Sequence, residues 1–136
     1  MIRVFLDANV LFSASSEGSN ISRLVHLLIE QGEAVTSDFA AEEARRNVLI
    51  KRLAWAQNLD VLMARVNSVP SIQFDLPVEL TGKDQPILCT AIRSGCQYLA
   101  TGDKQDFGHL YDHTVDGVTV ITLAKLAELI VQARGD

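Results

Sequence analysis

The chain has no excess of positive charge. Its 136 residues include 12 Lys and Arg against 17 Asp and Glu, a formal net charge of −5. That balance argues against a protein that coats duplex DNA by bulk attraction. An enzyme acting on nucleic acid stays open, because it can gather carboxylates at one site and keep its cations elsewhere. Cysteine is scarce: Cys89 and Cys96 are the only two and cannot make a disulfide framework. If both lie on one helix, their spacing separates them by roughly 10 Å, beyond bridging range. Reduced thiols in a cytoplasmic protein are the simpler reading. Long apolar runs are missing as well. The opening Met1-Ile2-Arg3-Val4-Phe5-Leu6-Asp7 holds one basic residue and a short apolar run cut by a carboxylate. It is too short for a signal peptide or a bilayer span, so a soluble protein with no membrane partner is expected. Histidine is equally sparse and there is no Cys-x-x-Cys. His109 and His113 have a spacing that suits zinc on a helix, but without a third ligand they read as surface residues.

What is present is an ordinary globular composition, 48% apolar and 21% charged, with no linker-like shift, low-complexity tract or repeat. One domain over residues 1–136 is expected. Short apolar runs alternate with amphipathic stretches. Ile2 to Leu6, Ala34 to Thr36, Tyr98 to Thr101 and Val118 to Ile121 read as strands. Ile21, Leu24, Val25 and Leu28 mark a helix that stops at Gly32. Phe39 to about Ala56, free of Gly and Pro, reads as a second helix, and Leu59, Leu62, Met63 and Val66 repeat the spacing until Pro70. Another helix opens near Asp84-Gln85-Pro86 and ends at Gly95, and the last begins after Thr122, an N-cap. Strands alternating with helices imply a parallel sheet covered on both faces, hence an α/β fold.

Four acids fall at the ends of these elements, where open parallel sheets collect their reactive groups. Asp7 directly follows the first strand and Asp103 follows the Tyr98 strand. Asp84 opens a helix reached through the irregular stretch from Pro70 to Lys83. Glu43 lies about one turn into its helix. Each has an ordinary structural reading beside the chemical one: Asp84 as a helix cap, Asp103 as a turn residue, Glu43 beside Glu42 as a solvated helix face. Asp7 is hardest to explain that way, because a carboxylate ending an apolar strand is desolvated, at a cost of several kcal/mol unless compensated. A divalent cation resolves the cost for all four. Mg²⁺ prefers oxygen ligands, and carboxylates around one or two such ions can set water against a phosphodiester.

The segments Phe5-Leu6-Asp7-Ala8-Asn9-Val10-Leu11, Glu43, Asp84-Gln85-Pro86-Ile87-Leu88 and Leu99-Ala100-Thr101-Gly102-Asp103-Lys104 resemble a PIN domain, in order and across essentially the whole chain. The resemblance is greatest to the VapC-like ribonuclease toxins of prokaryotic toxin–antitoxin systems. It implies a three-layer α/β/α fold with a small parallel sheet of about five strands. It further implies an endoribonuclease using one or two Mg²⁺ or Mn²⁺ ions, acting on RNA, cytoplasmic, a homodimer, and restrained by a small antitoxin protein. By that pattern Asp7, Glu43, Asp84 and Asp103 are the metal-binding catalytic acids, Asn9 orients Asp7, and the Thr101 hydroxyl supports the cleft. A Ser or Thr shortly before the helix, then a Glu, selects Glu43 over Glu42; adjacent acids point about 100° apart, so only one of the two enters. The chain departs from the pattern in the small Ala44 after the second acid. Asp106 is an additional or substitute ligand.

An all-acidic site needs cations to admit RNA. Arg45, Arg46, Lys51 and Arg52 follow Glu43, with Arg45 and Arg52 spaced to share a helix face, and Lys83 and Lys104 flank the third and fourth acids. They read either as phosphate contacts or as solvated, ion-paired surface. Trp55 reads as a helix-interface or dimer residue rather than a base-stacking platform. Two other functions compete. An Asp-dependent phosphatase places an Asp after its first strand too, but the second acid it needs two residues later is Asn9 here. A non-catalytic RNA- or protein-binding module of the same fold has no use for the acidic quartet.

Overall fold

The computed structural model describes the backbone of residues 1–135 and the side chains of residues 1–133. Asp136, the end of the expected domain, lies outside the described residues. The first apolar run forms β1 (Arg3–Leu6), whose Val4, Phe5 and Leu6 are fully buried. Five more strands follow: β2 (Glu33–Ser37), β3 (Asn67–Val69), β4 (Tyr98–Ala100), β5 (Thr114–Val115) and β6 (Val118–Ile121). They make one sheet in the order β3-β2-β1-β4-β6-β5. Every neighbouring pair is parallel except β5 with β6, which is antiparallel. That hairpin turns on Asp116 and Gly117, at φ 47° and 90°, the left-handed geometry that two-residue turns demand.

Among the described residues seven α-helices flank the sheet: α1 (Ala8–Ala14), α2 (Asn20–Gln31), α3 (Asp38–Lys51), α4 (Ala56–Met63), α5 (Gln85–Arg93), α6 (Lys104–Phe107) and α7 (Leu123–Gly135). α1 packs on α2 and α3, α2 on α7, and α5 on β2 and β4. Their ends follow local chemistry. Ser19 accepts from the Ser22 amide (3.1 Å) to start α2, Ser37 accepts from Ala40 (3.0 Å) to start α3, and Thr122 accepts from Lys125 (3.1 Å) to start α7. Gly32 ends α2 where the chain turns into β2. A Cβ there would lie 2.4 Å from the Ile2 carbonyl oxygen, the same oxygen that accepts from Glu33 (2.9 Å).

Several expectations need correcting. The helix expected over residues 39–56 stops at Lys51, passes through a 3₁₀ turn at Leu53–Trp55, and restarts as α4. The break seats Trp55 against Phe12 of α1, ring centroids 5.3 Å apart, so packing overrides a run of good helix formers. The helical spacing read through Val66 ends at Met63. Asn67–Val69 pairs with β2 instead, and Pro70 closes an edge strand rather than a helix. The antiparallel β5 and the short α1 and α6 were not expected either. Cys89 sits on α5, but Cys96 lies beyond it after Gly95 (φ 70°), both buried and unbridged. His109 lies in the 3₁₀ turn Gly108–Leu110 while His113 follows it, so the two share no helix.

The order of the sheet positions the site. From β1 the chain builds outward to β2 and β3, then returns to the other side of β1 with β4 and β6. The crevice beyond the carboxyl ends of β1 and β4 is therefore the switch point where such sheets bind ligands.

Candidate active site

Asp7 leaves β1 at that switch point and caps α1. Only 4% of it is exposed. One carboxylate oxygen accepts from the Ala8 amide (2.7 Å), the other from the Thr101 hydroxyl (2.8 Å) and the Asn9 carboxamide (3.2 Å). Thr101, fully buried at the end of β4, also accepts from Asn9 (3.3 Å) and from the Asp103 amide (3.1 Å). Asn9 accepts in turn from the Gly102 amide (2.8 Å). One hydroxyl and one carboxamide thus tie the end of β1 to the end of β4. Burial nonetheless raises the Asp7 pKa, against the lowering effect of the Thr101 and Ala8 hydrogen bonds, and the charges of Glu43 and Asp103 add to the rise.

Asp84 is as deeply placed, 3% exposed, at the threshold of α5 with Pro86 in the first turn. Its side chain makes no capping bond, so the helix-cap reading fails. It accepts from the Thr81 hydroxyl. Its pKa is pushed up to about 6, chiefly by burial, opposed by Thr81 and reinforced by Asp106 and the charge of Asp7. Asp103 caps α6 by accepting from the Asp106 amide (3.0 Å), so its turn role and its place in the cleft coexist. Carboxylate oxygens of Asp84, Asp103 and Asp106 lie within 4.8 Å of one another.

Asp7, Glu43, Asp84 and Asp103 line one open cleft of about 610 Å³. Glu43 reaches it from α3, whereas Glu42 is exposed and does not line it. Lys83 stands across from Glu43 with its Nζ 3.6 Å from the carboxylate. The Glu43 charge raises the Lys83 pKa, slight burial opposes, and Asp84 and Asp103 add to the rise.

The expected cationic rim divides. Of Arg45, Arg46, Lys51, Arg52, Lys83 and Lys104, Lys51 and Lys83 line the acidic cleft and the other four do not. Arg45 pairs with Asp60 on α4. Arg52 lies past the end of α3, its guanidinium 5.6 Å from the Trp55 ring centroid, so it shares no helix face with Arg45. Arg46 and Lys104 are exposed outside the cleft lining. Two polar neighbours had no role in the sequence reading. Thr81 holds Asp84 from three residues upstream, a Thr-x-x-Asp spacing visible in the sequence. Tyr111 donates its hydroxyl to the Thr101 carbonyl (2.9 Å), and burial followed by the charges of Asp103 and Asp7 raises its pKa. Nothing local to Tyr111 signals that position.

Fold and cleft together define an α/β architecture, a mostly parallel sheet flanked by helices with acids at its switch point. No protein-family model matches the chain, and no curated protein does. Among solved structures, a chain in the crystal structure of VapBC2 from Rickettsia felis, bound to a DNA fragment from their promoter, superposes with a TM-score of 0.64. The two are 14% identical, over 89% of this chain and 98% of that one. The likeness is one of fold, and that fold is VapC-like.

Proposed function

We propose that the protein is a metal-dependent endoribonuclease and the toxin of a toxin–antitoxin pair. The observation that carries the reading is a pair of nearly inaccessible carboxylates, Asp7 and Asp84, that open onto one cleft with Glu43 and Asp103. Among the described residues neither of the pair has an ion-pair partner. Buried charge without a compensating charge is costly, and both groups have raised pKa values accordingly.

The donor set fits a hard dication. Every candidate ligand is a carboxylate oxygen, three of them already converge within 4.8 Å, and no thiol or imidazole lines the cleft. Asp7, Glu43, Asp84 and Asp103, with Asp106 beside them, would hold one or two Mg²⁺ or Mn²⁺ ions. Bound there, such ions offset charge on phosphodiester oxygens and lower the pKa of water. The chain's own groups prepare the site. Ala8, Asn9 and Thr101 fix the Asp7 carboxylate, Thr81 fixes Asp84, and the α6 cap fixes Asp103. Lys83 partly neutralises the acids and stands where an incoming phosphate approaches.

The VapBC2 likeness supports an antitoxin partner; assembly as a homodimer is carried over from the resemblance of the sequence alone. A small open reading frame immediately upstream, encoding a DNA-binding protein that co-purifies with this chain, is the expected partner.

The test is incubation of purified protein with single-stranded and structured RNA in Mg²⁺, in Mn²⁺ and in chelator. Cleavage should require the metal and be lost, by at least about a hundredfold, in Asp7→Asn and Asp84→Asn variants that remain folded. Normal cleavage by both variants would overturn the reading, and so would metal-independent cleavage.

A further inference from the structure

The face of α3 that delivers Glu43 to the cleft delivers two more residues with it. Asn47 and Lys51, four and eight positions on, line the same cleft, as the helical repeat requires. Across from them α1, packed directly on α3, presents Asn9 and then Ser13, also four apart. Both helices therefore change character along the cleft. At one end they hold the acids and the residue that orients Asp7, and at the other a hydroxyl, a carboxamide and an ammonium group. Of the two lysines that line the cleft, Lys83 is tied to Glu43, whereas Lys51 forms no ion pair among the described residues. It is exposed, so its ammonium stays hydrated and available.

We propose that Lys51, with Asn47 and Ser13, forms a second anion-binding subsite that holds a backbone phosphate next to the one cleaved. The rise of α3 places Lys51 roughly 12 Å from Glu43 along the helix axis, too far for a single phosphate to meet both ends. A phosphate bound at Lys51 therefore belongs to a neighbouring nucleotide and sets the path of the strand across the acids. Ile21 and Leu123 line the cleft at the starts of α2 and α7, apolar surface against which the attached base can rest. The charge gradient makes the path directional: strand entering over Lys51 is attracted, while strand entering over the acids alone is repelled.

The subsite rests on the ribonuclease reading, and substrate length separates the two. Steady-state cleavage would be measured on a long single-stranded RNA and on a dinucleotide, for the wild type, Lys51→Met, Lys51→Arg and Asn47→Ala. On the long substrate Lys51→Met should raise KM roughly five-fold with kcat within about twofold, the signature of lost binding rather than lost chemistry. Its KM should rise less steeply with salt, the log–log slope reduced by about 0.7. Lys51→Arg should restore both values, and Asn47→Ala should show a smaller KM effect. The dinucleotide, too short to reach the subsite, should not distinguish any of these variants from wild type. An unchanged KM and salt slope for Lys51→Met on the long RNA overturns the subsite while leaving the nuclease standing. Equal losses on both substrates overturn it too, because Lys51 would then act at the scissile bond. A wild type that cleaves neither substrate in Mg²⁺ or Mn²⁺ removes the ribonuclease reading and the subsite together.

Discussion

Burial pushes the Asp84 carboxyl up to about 6, and the sign of that shift fixes how the metal-free protein responds to pH. The ordinary value of 3.8 serves for the unfolded chain. The folded state therefore binds the Asp84 proton more tightly than the unfolded state does. Ionised Asp84 costs stability above about pH 6, and the cost is relieved as pH falls from 6 toward 3.8. Asp84→Asn keeps the shape and removes the charge, so in chelator at pH 7.5 the variant should be more stable than wild type. The two should converge near pH 4. Denaturant melts across that range measure the difference. A variant less stable than wild type at pH 7.5 would mean that ionised Asp84 supports the fold.

At the scale of elements, α3 is the most consequential helix, because it brings Glu43 to acids that otherwise come from the ends of β1 and β4 and the start of α5. Its start is set by buried Ser37, whose hydroxyl accepts from the Ala40 amide, while neighbouring Thr36 donates to the Leu6 carbonyl (2.9 Å) and ties β2 to β1 just before Asp7. Ser37→Ala should cost about 1 kcal/mol of stability. It should also weaken Mn²⁺ binding several-fold by titration calorimetry, with Ser37→Thr restoring both; unchanged Mn²⁺ affinity would show that α3 is positioned without this cap. What the sequence disclosed about α3 is instructive. Asp7, Asp84 and Asp103 stand at the ends of elements, and element ends show in local composition, whereas Glu43 lies inside α3 and is singled out by the family pattern. The side-chain face of α3 was not legible. Arg45 reads equally as a phosphate contact or as ion-paired surface, and the structure pairs it with Asp60, fifteen residues on, while Trp55, packed on Phe12, lies where the expected continuous helix breaks. Asp106, an additional or substitute ligand by sequence, joins Asp84 and Asp103 in one trio within 4.8 Å, and the short α6 that carries it is too brief to register as a period. Long-range pairings of this kind leave no mark on a sequence window.

The whole molecule carries net negative charge and concentrates four carboxylates against two lysines in one cleft. Its metal-free state is therefore the less stable state, and a bound dication should act as a structural ligand as well as a chemical one. A ligand at a hundred times its Kd stabilises the folded state by about 2.7 kcal/mol. For a chain of this size that corresponds to a rise in Tm on the order of 5–10 °C. Saturating Mg²⁺ should produce that rise in wild type over chelator at matched ionic strength, because screening by monovalent salt offsets repulsion without filling the site. Asp7→Asn should start at a Tm no lower than metal-free wild type, since its uncompensated buried charge is gone, and should gain little from Mg²⁺, since a ligand is gone too. The opposite directions of those two effects in a single variant distinguish a metal site from a general ionic-strength response. An equal Mg²⁺ shift in wild type and Asp7→Asn would locate the binding elsewhere on the acidic surface and detach the cleft from the metal.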